Sequence, residues 1–385
     1  MASIVFRAPI ELKKHSSLIY AEGVFGLQAR KKLPMRAKTA DGILRYAEYK
    51  ISGVIDSTAE SPLSFRRRGV GGEVVGDFLP TYLRDSTRRD VPIFKNLKEA
   101  KARTKADVLI LGNAPEGGEL PNEYTNDIAW AIKNKMHIVS GTHYFLTEDK
   151  KFSNLAKKYG VMLWDTRKAP DIKSIPVGSA NAYHIKKPIV LTVGMDAAIG
   201  KMTVAYEMDK AAKKLGLKSC VIPTGQTAMI ISGWGVAIDA LPADFMTGAV
   251  EQMVLEKAKN HDILFVEGQG SLFHPAYANT TIALIHGAVP THMILVVRPQ
   301  RKHSIGSKLV KLPDIKRAIA QYESSILPFY RNSKVIAVAV NSEGLDEAER
   351  ERYKKEVQHE CGLPVFDALY DEKIIFSVVK KFAQS

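Results

Sequence analysis

Pro188-Ile-Val-Leu-Thr-Val-Gly194-Met-Asp-Ala-Ala-Ile-Gly200-Lys201-Met202-Thr203 decides the reading of this chain. An apolar, strand-like run enters a turn of glycine and lysine, and a helical pattern leaves it. That is the layout of a phosphate-binding loop: backbone N–H groups converge on phosphate oxygens, the following helix adds the positive end of its dipole, and the lysine adds a point charge. The candidate cofactor-binding set is therefore Gly194, Asp196, Ala198, Ile199, Gly200, Lys201, Met202 and Thr203. A diphosphate is the group such a loop suits.

The spacing departs from the usual one in two ways. Gly194 and Gly200 enclose five residues instead of four, and Met202 stands where a Mg²⁺-holding hydroxyl is expected. A thioether is a poor ligand for magnesium, which wants hard oxygen donors. Either Thr203 takes over that role, or the loop holds a diphosphate with no metal-assisted phosphoryl transfer.

At 385 residues the chain has room for two or three domains, and 45% hydrophobic with 25% charged residues is globular, not disordered, composition. Residues 1–20 contain Arg7, Glu11, Lys13 and Lys14 and no signal-like apolar run, and no later segment has the roughly 18 apolar residues that span a bilayer. A cytoplasmic protein with no membrane partner is the expectation. Cys220 and Cys361 are too few for a disulfide framework or a metal site and read as core thiols. Of the net charge of +14, residues 1–190 supply +12 (32 Lys+Arg against 20 Asp+Glu). Arg30-Lys31-Lys32 and Arg66-Arg67-Arg68 carry part of it, but no aromatic residues are interleaved as a base-stacking surface needs, which argues against nucleic acid.

The first half alternates strand-like and helix-like stretches, with strands expected at Ser17–Tyr20, Lys50–Ile55, Ala106–Leu111, Met136–Ser140 and Val161–Trp164. Asp56 ends the second of these, where a dinucleotide fold places an acid on a ribose. The glycine fingerprint that should precede it is absent, since Gly23 and Gly26 do not form it and Gly69-Val-Gly71-Gly72 comes too late. Gly112-Asn-Ala-Pro-Glu-Gly-Gly118 and Ser140-Gly-Thr-His143 follow strand ends, and His143 is a candidate site residue. The stretch Asp165 to Lys187 is rich in Pro, Lys, Ser and Asn and reads as a linker, giving domains 1–183 and 184–385.

The second α/β unit starts at the phosphate loop. Lys218–Ile222 opens into Thr224-Gly225-Gln226-Thr227. A helix over Phe245–Ala258 leads to a buried strand, Asp262–Val266, which ends in Glu267-Gly-Gln269-Gly-Ser271-Leu-Phe-His274-Pro275. An acid ending an apolar strand one unit after a phosphate loop is placed to orient magnesium or to act as a base. Met293–Val297 and Val335–Val340 read as further strands, with Arg298 and Arg301 just past the first; the tail with Pro364-Val-Phe-Asp reads as architectural. The overall expectation is α/β: an N-terminal Rossmann-like parallel sheet followed by a C-terminal P-loop NTPase-like parallel sheet.

Taken together, Val193-Gly-Met-Asp-Ala-Ala-Ile-Gly-Lys-Met-Thr203, Thr224-Gly-Gln-Thr227, Ala243-Asp-Phe245, Val266-Glu-Gly-Gln-Gly-Ser-Leu272 with His274-Pro275, and Leu284-Ile-His286-Gly287 resemble the signature set of a known family. Lys38-Thr39-Ala40, Ala106-Asp-Val-Leu-Ile-Leu-Gly112, Gly117-Gly118 and His143 extend the resemblance into the first half, so it covers roughly residues 17–305. The family combines a Rossmann-like N-terminal domain with a P-loop C-terminal domain, and its members are described as D-glutamate N-acetyltransferases of the DgcN type. More distantly, the loop and Val266-Glu267-Gly268 are similar to dethiobiotin synthetase, which has threonine directly after the lysine where this chain has Met202.

The resemblance implies transfer of an acetyl group from acetyl-CoA, its diphosphate on the loop, to the amine of an acidic amino acid, D-glutamate first. The amine must lose a proton before it attacks, so a base is needed. Glu267 and His274 are the candidates, with His143 and His286 behind them. Arg298 and Arg301 suit the substrate carboxylates by paired hydrogen bonding, and Thr224, Gln226, Thr227, Gln269 and Ser271 complete the substrate-binding set. No resident metal is implied. Two other classes stay open at this point: a ligase or kinase using ATP with Mg, and a nucleotide-binding regulator with no turnover. A homo-oligomer is expected.

Overall fold

The computed structural model describes residues 6–23, 38–58, 91–113, 119–326 and 331–383. Arg30–Lys32, Arg66–Arg68, Gly26, Gly69–Gly72 and Ala114–Gly118 lie outside the described residues. Among the described residues there are twelve strands: β1 Ser16–Tyr20, β2 Lys50–Ile55, β3 Ile93–Phe94, β4 Val108–Leu111, β5 His137–Ser140, β6 Leu163–Asp165, β7 Ile189–Gly194, β8 Ser219–Ile222, β9 Ile263–Val266, β10 His292–Val297, β11 Lys334–Val340 and β12 Val365–Asp367. They form two six-stranded sheets, ordered β3-β2-β1-β4-β5-β6 and β12-β11-β10-β7-β9-β8, and every recorded pairing is parallel. The α/β class expected from the alternation of patterns is the fold.

Each sheet belongs to its own compact unit. Of the described residues, one unit comprises those within 7–168 with the short return 229–234; the other comprises those within 169–228 and 235–383, together with Phe6. In the first unit Asp56 is fully buried, but its carboxylate accepts from the backbone N–H groups of Gly23 (3.0 Å) and Thr58 (3.0 Å) and from the Thr58 hydroxyl (2.7 Å). It pins the turns after β1 and β2.

In the second unit β7 is buried at all six positions and β9 at all four, as strands covered by helices on both faces must be. Each fully buried Val, Leu or Ile there contributes about 1.5–3 kcal/mol. The register matters for the site. Val266 pairs with Leu191, Val296 with Gly194, and Val297 with Val340, so β7, β9, β10 and β11 end along one edge. Met195, Glu267, Arg298 and Asn341, the residues that follow, are delivered to that edge together. The connection after β7 runs toward β8 and that after β10 toward β11, which makes the β7/β10 boundary the switch point where open α/β sheets bind ligands.

The stretch read as a linker is packed over part of its length. Buried Glu251, on the helix Ala243–Ala258, accepts from Ser179 N at 2.7 Å and from Asn181 N. On the same helix Gly248 touches Pro176 so closely that a Cβ would sit 1.8 Å from its carbonyl oxygen. Among the described residues no helix is long and apolar enough to cross a membrane.

Candidate functional site

The phosphate loop forms as the sequence pattern requires. β7 delivers Gly194, the turn runs to Gly200, and the helix Lys201–Lys214 begins at the lysine. Two residues wrap the turn in the left-handed region, Ala198 (φ +53°) and Gly200 (φ +103°). Only glycine adopts the second value without strain. Lys201 is buried, and its Nζ donates to the Asp196 carbonyl at 2.7 Å, so the side chain folds back along the turn it follows. Asn341, just past β11, donates from Nδ2 to Ile199 O at 3.1 Å and braces the loop from the other side.

Met202 is 6% exposed and packs into the core, so the position that usually offers a metal-holding hydroxyl offers none. Thr203 is half-buried one step further along the helix.

The second wall is the end of β9. Glu267 is 1% exposed, and its Oε2 accepts the backbone N–H groups of Thr224 and Gly225, both at 2.9 Å. Thr224 in turn donates its hydroxyl to Glu267 O at 2.7 Å and receives Gln269 Nε2 at 3.3 Å. Two backbone donors on one oxygen fix the orientation of the carboxylate. Gly268 N donates to Thr192 Oγ1 at 2.9 Å, and a Cβ on Gly268 would lie 1.7 Å from Thr192 O and 2.9 Å from Lys201 Cδ. The lysine stem therefore lies directly against the residue after Glu267. Gln226 and Thr227 open the short helix Gln226–Ser232 beside this corner.

A third group binds the turn after β9 to the loop. Ser271 and Tyr322 are fully buried. The Tyr322 hydroxyl donates to Gly194 O at 2.6 Å and accepts Leu272 N at 3.2 Å. Burial pushes its phenol pKa up, so it stays a donor at any working pH.

His274 has both ring nitrogens engaged. Nδ1 accepts Ala276 N (3.1 Å), which assigns the proton to Nε2, and Nε2 faces Ile305 O (3.1 Å); the ring also stacks on Tyr277 with centroids 4.4 Å apart. In this arrangement no nitrogen is left to accept a proton from a substrate.

The loop acid and the two arginines pair off. The Asp196 carboxylate, fully buried, accepts from Arg301 Nη1 (2.8 Å), Ile305 N (2.8 Å) and Ser304 Oγ (3.3 Å). Asp196 contributes its carbonyl to the loop, while its side chain ties down the segment after β10, and Arg301 is its counter-ion. Arg298 pairs with Glu343 at 3.1 Å.

His286 is not brought to this edge. It sits in the last turn of the helix Ala278–Ala288, which descends from β9 to the start of β10, and its Nε2 meets Ser325 O at 3.1 Å. That is the opposite end of the sheet. His143 is exposed after β5 in the other unit.

Sequence reasoning missed Tyr322 and Asn341. Tyr322 lies 128 residues from Gly194 inside an amphipathic helix, where its spacing marks only a core position. Asn341 could have been found: like Glu267, it is the first polar residue after a buried strand.

Comparison with known proteins fits this geometry. Residues 176–375 match a family described as "Domain of unknown function (DUF1611_C) P-loop domain", and residues 74–169 match its companion, "Domain of unknown function (DUF1611_N) Rossmann-like domain". A protein named D-glutamate N-acetyltransferase from Tritonibacter scottomollicae is 34% identical over 70% of this chain and 80% of its own. One of the same name from Pseudoalteromonas sp. is 32% identical over the same shares. The crystal structure of a DUF1611 family protein from Anabaena variabilis superposes with a TM-score of 0.82 at 32% identity, covering 95% of this chain and 99% of that one. The chain belongs to the DUF1611 family, with its Rossmann-like N-terminal and P-loop C-terminal domains.

Proposed function

We propose that this protein is an N-acetyltransferase that moves an acetyl group from acetyl-CoA to the amine of D-glutamate. The observation that carries the reading is the pairing of a phosphate loop, Gly194–Lys201, with Glu267 at the adjacent strand end, in a chain about one-third identical to proteins named for that activity.

The residues fit a diphosphate. The left-handed turn at Gly200 and the start of the helix at Lys201 direct backbone N–H groups into one concave loop, and Lys201 supplies the charge. Acetyl-CoA, when bound, would present an ADP diphosphate and an activated thioester. This chain's own work is then to hold, orient and deprotonate. An α-ammonium is mostly protonated at pH 7 and cannot attack a carbonyl until it loses a proton. Glu267 is the acceptor we assign, because its carboxylate is fixed by two backbone donors and the next residue, Gly268, lies against the stem of Lys201. Thr224 and Gln269 hold the corner around it. Arg298, at the edge shared with the loop, is the cation assigned to a substrate carboxylate, exchanging Glu343 for it.

One assay tests the reading. The purified protein is incubated with D-glutamate and either acetyl-CoA or Mg-ATP, and thiol release and ADP formation are followed. Thiol release that depends on D-glutamate supports it; ADP formation with no thiol release overturns it in favour of a ligase or kinase.

A further inference from the structure

A cleft of about 240 Å³ opens beside the phosphate loop at the β7/β10 switch point. Met195, Asp196 and Ile199 of the loop form one side, and the other is the segment 298–315. That segment doubles back on itself: Leu312 N donates to Lys302 O at 3.0 Å, Ser304 N to Val310 O at 2.9 Å, and His303 bridges Lys311. It is fastened to the loop through the three bonds that Asp196 accepts from Arg301, Ser304 and Ile305. Whatever the loop binds, this hairpin is held next to it.

The lining has two chemistries. Ile199, Leu312, Pro313 and Tyr353 give an apolar wall suited to a flat base. Burial pushes the Tyr353 phenol up to about 12, so that wall stays uncharged. Four cations also line the cleft, of which Arg301 is matched by Asp196 and Arg298 by Glu343. Lys302 and Lys311 have no ion pair with any described residue. The remaining acids are directed elsewhere: Asp314 accepts Arg317 N at 2.8 Å and Glu360 accepts Ile315 N at 2.7 Å, both at the start of the helix Ile315–Ser324. The carboxylates of Asp314 and Glu360 keep their charge, but they are held by backbone N–H groups at the helix start and pair with neither lysine, so Lys302 and Lys311 on the hairpin are the ammonium groups open to a phosphate beside the apolar slot.

We infer that this cleft takes the adenosine end of the acyl donor, and that Lys302 and Lys311 read the phosphate monoester on its ribose, the group that distinguishes coenzyme A from dephospho-coenzyme A. The inference rests on the acetyl-CoA reading above and adds to it the residues that discriminate the donor. The diphosphate belongs to the loop and the extra phosphate to the hairpin, and Asp196 joins the two.

Binding, not turnover, tests it. Coenzyme A, dephospho-coenzyme A, ADP and Mg-ATP are titrated calorimetrically into the wild-type chain and into Lys302→Ala/Lys311→Ala. Both lysines are exposed, so the fold is not at risk. The wild type should bind coenzyme A about tenfold or more tighter than dephospho-coenzyme A, the scale of one or two charge-assisted contacts. The double variant should bring the two within about threefold and leave ADP unchanged. Equal binding of coenzyme A and its dephospho form by the wild type overturns the inference and leaves the acetyl-CoA reading standing, as does discrimination that survives in the variant. Tight Mg-ATP binding with no binding of either coenzyme form overturns both.

Discussion

The Tyr322 hydroxyl donates to the carbonyl of Gly194 at 2.6 Å while accepting Leu272 N at 3.2 Å, so one buried phenol holds the entrance of the phosphate loop and the turn after β9 in fixed relation. Phe273 adds an edge-on ring contact, with centroids 5.7 Å apart. No charge is involved. The bond is a positioning device between the two halves of the site.

Tyr322→Phe keeps the ring and removes the bridge. The Gly194 carbonyl and Leu272 N–H are then buried without this partner, which should cost about 1–3 kcal/mol. Thermal unfolding should show a lowered Tm, and KM for acetyl-CoA should rise because the loop is no longer fixed at Gly194. A variant with unchanged Tm and KM would show that the bridge positions nothing.

Lys201→Ala removes the charge of the loop together with a buried stem that lies against Gly268, and it frees the Asp196 carbonyl that Nζ meets at 2.7 Å. We expect the affinity for coenzyme A to fall about 10- to 100-fold, as for loss of a charge-assisted phosphate contact, with an unchanged circular dichroism spectrum. Unchanged affinity in a titration would falsify the assignment of the diphosphate to this loop.

The architecture was legible because its cues are local. A buried run, a glycine turn and a helix start are contiguous in Ile189–Lys214, and strand ends followed by Glu267 or Arg298 mark the binding edge. β3 and β12 were not legible as strands: two and three residues are too short to show a period, and only their neighbours β2 and β11 define them. Site roles depend on where side chains turn, and that is set by partners remote in sequence. Asp196 looks like a loop residue but is committed to Arg301, 105 positions away. His274 looks like a free imidazole before a proline but is held at both nitrogens, one of them by Ile305. His286 follows the motif pattern yet lies at the far end of its helix.

Activity should be insensitive to EDTA. The position after Lys201 is a buried methionine. Magnesium has no hard oxygen donor at its usual place in the loop. Assaying thiol release with and without chelator checks this directly. Loss of turnover that Mg²⁺ alone restores would move the ligase or kinase reading ahead.

Glu267→Gln separates a base from a brace. Glutamine keeps the shape, and its carbonyl oxygen can still accept the N–H groups of Thr224 and Gly225 that now meet Oε2 at 2.9 Å. The loop around Thr224 and the stem of Lys201 against Gly268 should therefore stay in place, and coenzyme A should bind as before. The carboxylate charge, however, is gone, and with it the acceptor for the substrate's proton. A fall in kcat of about 10²- to 10⁴-fold is expected, the usual contribution of a positioned base, with KM for acetyl-CoA little changed. His274→Ala is the control. Because both its ring nitrogens are engaged within the protein, its loss should lower Tm by loosening the turn at Ile305, with kcat retaining its dependence on pH. The opposite pattern, near-normal kcat in Glu267→Gln at every pH and loss of the alkaline-rising limb in His274→Ala, would make the carboxylate structural and the histidine the base.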